Sequence, residues 1–161
     1  MILAITKENE KLISEVCDSN DIEDYHVMTT ITNLYNFTIA ELKILNNFTQ
    51  IIIDITAITD THVQLLESIV ALKTIYRDLR VTILAIAYKE GDTILSNLFH
   101  ESVFDFVISK DYQVQKDELS KCINIGNKYS DAIRFRCTES YKENNRLITK
   151  IYKKFGGDKT K

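Results

Sequence analysis

The stretch Gln50-Ile51-Ile52-Ile53-Asp54-Ile55-Thr56 constrains the fold more than any other part of the chain. Its β-branched residues run without polar alternation, so the strand they form must be covered on both faces. That places it at the centre of a parallel sheet with helices on either side. The run carries a carboxylate near its end, and in open α/β sheets ligands bind outside the carboxyl ends of the strands. Asp54 is therefore the first candidate for chemistry.

The rest of the chain supplies the partners such a strand needs. Residues 1–6 read as a first strand and Glu8 to about Cys17 as a helix, with Leu12, Ile13 and Val16 at helical spacing. Tyr25 to Thr29 is a second, more polar strand suited to an edge. Thr38-Ile39-Ala40-Glu41 has the form of a capping box, which predicts a helix from Ile39 to about Leu45 and leaves residues 30–37 as a long loop. Asp60 is a candidate N-cap for a helix in which Val63, Leu66, Ile69, Val70, Leu72 and Ile75 recur at helical spacing. Val81 to Ala87 and Val103 to Ile108 are further strands. Helices are expected after Gly91-Asp92 and from Val114 onward. Five strands alternating with five helices predict right-handed crossovers and an α/β fold: a five-stranded parallel sheet with helices on both faces. Residues 1–130 are expected to form this domain. Residues 131–161 are expected to be a helical extension, amphipathic and ending in a basic tail.

Composition narrows the class. Hydrophobic content of 45% with 27% charged suits a globular protein with a sizeable core, and no stretch approaches the ~18 apolar residues of a membrane span. Cys17, Cys122 and Cys137 are scattered and odd in number, which argues for a reducing compartment and a cytoplasmic location. Net charge is −3, but residues 1–111 hold 8 basic and 17 acidic side chains, whereas residues 112–161 hold 12 basic and 6 acidic. An acidic body with a basic tail bears on partners more than on fold.

With the strands in this order and Asp54 closing Ile52-Ile53-Asp54, residues 1 to about 130 resemble a response-regulator receiver domain, the flavodoxin-like signalling fold. The resemblance implies that Asp54 occupies the phosphoacceptor position. It also implies an acidic pair after the first strand to hold magnesium, a Ser or Thr closing the fourth strand, and a Lys closing the fifth. Here the acidic pair is replaced by Thr6-Lys7, with Glu8 displaced into the helix start. Ile86 stands where the hydroxyl is expected, and Lys110 comes one residue late. Aspartyl phosphorylation needs a divalent cation, and magnesium wants carboxylate and water ligands. Lys7 could instead place its ammonium beside Asp54. These departures favour a degenerate receiver, a pseudo-receiver, similar to the receiver-like heads of some pilus-assembly and partitioning ATPases. Magnesium is expected only if Asp54 is phosphorylated after all, and no other cofactor is implied.

Several other chemistries find no support. The first glycine is Gly91, so the turn after the first strand is neither a G-x-G-x-x-G nor a Walker loop. His26, His62 and His100 share no metal-ligand spacing, and no G-x-S-x-G elbow occurs. The basic tail could bind nucleic acid, but no reader motif accompanies it. Its apolar residues Leu147, Ile148, Ile151 and Phe155 form a stripe that needs covering, by the domain itself or by a second copy in a homodimer. The expected function is thus a non-enzymatic, receiver-like protein-interaction module acting without phosphorylation. The alternatives are a phosphorylatable receiver using Asp54, and a DNA-partitioning or conjugation accessory using the tail.

Overall fold

The computed structural model describes residues 1–30, 33–40, 44–137, 151 and 153. Five strands, β1 (Ile2–Ile5), β2 (Tyr25–Met28), β3 (Gln50–Asp54), β4 (Arg80–Leu84) and β5 (Asp105–Val107), form one sheet in the order β2-β1-β3-β4-β5. Every pairing is parallel. As the isoleucine run requires, β3 is central and β2 lies at an edge. The helices are α1 (Glu10–Ser19), α2 (Leu34–Ala40), α3 (His62–Ile75), α4 (Thr93–His100), α5 (Tyr112–Asn124) and α6 (Tyr129–Ala132).

The strand period of two divides the isoleucines between two cores. Ile51 and Ile53 join Leu3, Ile5, Ile83 and Phe106 beneath α3 and α4. Ile52 joins Ile2, Ala4, Leu84 and Val107 beneath α1 and α5. Each fully buried isoleucine contributes about 1.5–3 kcal/mol relative to exposure, so the triplet anchors both layers at once. The parallel register sets Ile53 beside Ile5 and Ile83, which brings Asp54 to the carboxyl edge of the sheet opposite Leu84.

Two expectations need correction. Residues 34–37, predicted as loop, are helical: α2 begins at Leu34, whose side chain is fully buried, and runs to Ala40, while residues 41–43 of the helix expected from Ile39 to Leu45 lie outside the described residues. Asp60 explains the difference. Its Oδ1 accepts from the Leu34 amide at 2.6 Å and its Oδ2 from the Tyr35 amide at 2.9 Å, so the cap of α2 comes from 26 residues downstream. Asp60 is consequently not the N-cap of α3. Thr61 takes that place in a capping box with Gln64, each bond 3.2 Å long.

The core does not end at the expected boundary near residue 130, which falls inside α6. Ala132 and Phe135 are buried in the core beneath α4, and the Phe135 ring lies 4.6 Å from that of Phe106 on β5. Ile151, in helical conformation, is buried in the same core, so this member of the apolar stripe is covered by its own chain. Leu147, Ile148 and Phe155 lie outside the described residues. Phe135→Ala should therefore cost about 3–5 kcal/mol in urea denaturation, the usual range for truncating a buried phenylalanine. A chain ending at Ser130 that matched the intact protein in stability would show that these residues are a mere appendage.

Candidate functional site

Thr6 directly follows β1 and is held at the sheet edge by its amide, which donates to the Met28 carbonyl at 2.9 Å. One turn on, Asn9 begins α1. Across from them Asp54 ends β3 and caps a single 3-10 turn, Ile55–Ala57. All three meet at one carboxylate. Oδ2 of Asp54 accepts from Thr6 Oγ1 at 2.7 Å and from Asn9 Nδ2 at 2.7 Å. Its Oδ1 accepts from the Thr56 amide at 3.0 Å and from Thr56 Oγ1 at 2.7 Å. Two donors on each oxygen account for the roughly four lone-pair sites of a carboxylate. Asp54 is 1% exposed and Thr6 fully buried, so the bond between them is shielded from water, whereas the bonds from half-buried Asn9 and exposed Thr56 lie at the rim of the site.

Local chemistry explains the arrangement. Asn9 stands at the N-cap of α1 but makes no side-chain capping bond there, because its amide is turned toward Asp54. Its backbone N–H instead donates to Thr6 Oγ1 at 3.0 Å, so the threonine hydroxyl accepts from one side of the site and donates to the other. Asp54 and Thr56 form an Asx turn, the usual habit of an aspartate two residues before a free amide.

The expected neighbours fare unevenly. Thr6 is in direct contact. The Lys7, Glu8 and Lys110 side chains are exposed, and among the described residues neither lysine comes within ion-pair distance of Asp54. The expected Lys7–Asp54 pair is thus replaced by neutral donors. A buried ion pair must recover the desolvation of an ammonium, whereas hydroxyls and amides satisfy the carboxylate at smaller cost. Ile86 is half-buried and packs against the core beneath α1 and α5, so it offers the site no hydrogen bond. Asn9, Thr56 and Tyr88 are site residues the sequence reasoning missed. The signals were present for two of them: Asn9 as a potential cap before Glu10, and Thr56 two residues after Asp54. Burial, then the charges of Asp92 and Asp54, raise the Tyr88 phenol above its ordinary pKa, which places this ring within the field of the site.

A magnesium ion does not fit this donor set. Asp54 is the one carboxylate in it, and its lone pairs already receive four donors. What the arrangement can do is fix the carboxyl end of β3 to the start of α1.

The sheet order, the helices on both faces and an aspartate closing the central strand define a receiver-like, flavodoxin-like α/β fold. Solved structures with this fold include a pilus assembly protein, CpaE, from Burkholderia thailandensis, with a TM-score of 0.53 and 20% identity over 76% of this chain and 96% of its own. A pilus assembly-related protein from Burkholderia pseudomallei has a TM-score of 0.52 and 18% identity over 80% of this chain and 92% of its own. The response regulator RcsB of Salmonella typhimurium has a TM-score of 0.54 and 17% identity over 98% of this chain and 85% of its own. No family model and no curated protein matches the sequence. At these identities the likeness concerns the fold.

Asp54→Asn exchanges one acceptor oxygen for an amine that faces two donors, and should cost about 1–3 kcal/mol in chemical denaturation. Lys7→Met and Lys110→Met should stay within about 0.5 kcal/mol of the parent. A Lys7→Met loss as large as that of Asp54→Asn would point to an ion pair in solution.

Proposed function

We propose that the chain is an atypical receiver-like regulatory module, non-catalytic, that works through protein contacts without aspartyl phosphorylation. The observation that carries this reading is the filled Asp54 carboxylate. An attacking oxygen needs a free lone pair and a cation to offset the incoming charge. Here each oxygen already accepts two hydrogen bonds, and the acidic pair that would recruit the cation is replaced by Thr6 and an outward-facing Lys7. The same residues serve well as a fixed structural joint. Likeness to pilus assembly proteins and to a response regulator agrees with a role in assembly or signalling, with another protein as the partner. No helix among the described residues is long and apolar enough to cross a membrane. The burial of Ile151 within its own chain weakens the case for self-association through the C-terminal stripe, since that side chain is already covered.

One observation favours a second reading, phosphorylation of Asp54: the aspartate is retained at the carboxyl end of the central strand of a receiver-like sheet. Incubation of the intact chain with magnesium and a small acyl phosphate, followed by intact-mass measurement, separates the two. The expected outcome is an unchanged mass. A single phosphoryl adduct that disappears in Asp54→Asn would overturn the proposal.

A further inference from the structure

The loop joining β4 to α4 lies at the same edge of the sheet as Asp54 and carries a strained backbone. Ala87 has φ 72° and Gly91 φ 78°. For alanine the left-handed region costs about 1–2 kcal/mol, and such a conformation persists only where surrounding structure imposes it. Three amides show how the loop is pinned. Ala87 donates to the Ile108 carbonyl at 2.9 Å, Tyr88 to Ala85 at 3.0 Å, and Asp92 to Lys89 at 3.1 Å. Only the first of these ties the loop to another element.

A second tie comes from residues 129–137. Arg134 sits 3.0 Å from Glu90 in the loop and 3.9 Å from Glu118 on α5, with its guanidinium 4.6 Å from the centre of the Phe135 ring. Burial pushes the Glu118 carboxyl up, and Arg134 and the Ile108 amide oppose that shift. Arg134 thus links the loop, through Glu90, to α5, through Glu118. The segment carrying Arg134 is itself well anchored. Phe135 and Ala132 are buried beneath α4, the Cys137 amide donates to Ser96 Oγ at 2.8 Å, and that hydroxyl donates back to the Cys137 carbonyl at 3.3 Å.

We propose that residues 129–137 are a strap that holds the β4–α4 loop against β5 and α5, so that the rim beside Asp54 loosens when Arg134 releases Glu90. The apolar anchors keep the strap on the domain, and the ion pairs transmit its position to the loop. Anything that lifts the strap, or the chain that follows it, changes the rim without touching Asp54. The device does not depend on whether Asp54 accepts a phosphoryl group.

Amide hydrogen exchange on the full chain tests this. Arg134 and Glu90 are each about half exposed, so Arg134→Gln and Glu90→Gln leave the core intact. Each should speed exchange at Ala87, Tyr88 and Asp92 about two- to fivefold, the scale of a partly exposed ion pair, and leave the β3 amides unchanged. The double variant should exchange no faster than the faster single, because both remove the same tie. Ser96→Ala, which weakens the anchor, should speed the same three amides. Unchanged loop exchange in both single variants would overturn the strap, as would equal acceleration throughout the molecule or a double variant whose effects multiply.

Discussion

A carboxylate that is 1% exposed must be supplied with donors, and much of the local structure at the head of the sheet follows from how Asp54 obtains them. Thr6 has to leave β1 with its hydroxyl turned inward. Asn9 has to begin α1 with its amide aimed across the sheet in place of capping the helix. The chain after β3 has to tighten into a 3-10 turn so that the Thr56 amide and hydroxyl both reach Oδ1. Asn9 gives up its capping bond to serve the shared acceptor, while the turn after β3 follows the local habit of Asp54. The three are thereby locked in register: shifting β3 by one residue would bury the donors without their carboxylate and turn Ile52 to the wrong core.

A buried aspartate with this many hydrogen bonds has a structural role whatever its chemistry. A side chain with four hydrogen bonds in a buried site is costly to replace for structural reasons alone, so its presence says little about reactivity. The residues around it have uses of their own. Thr6 binds it, Ile86 packs against the core beneath α1 and α5, and Lys7 faces solvent.

The parallel sheet, its central strand and the receiver-like order were legible because they depend on residue type along the chain. The uninterrupted Ile51 to Ile53 run and the helical spacing of Leu66, Ile69 and Val70 carry their own meaning. What was not legible depends on residues distant in sequence. α2 starts at Leu34 because Asp60 caps it from beyond β3, and no local pattern announces that. Lys7 looked like a partner for Asp54 because it is adjacent to Thr6, yet the chain bends after Thr6 and leaves the Lys7 side chain exposed. Phe135 gave no periodic signal at all, since its place opposite Phe106 is decided by the path of the chain after α5.

That path has a consequence for the order in which the protein can be made. All five strands are available once Val107 has left the ribosome, and β4 can then pair on both sides. The core beneath α4, however, lacks Ala132, Phe135 and Ile151 until some forty further residues have emerged, with Ile151 the last of them. Synthesis proceeds at roughly 5–20 residues per second, so for seconds the nascent sheet carries an open apolar seam along Phe106. The residues that later close the seam thus also end an interval in which apolar surface is open, so completion of this core trails completion of the sheet.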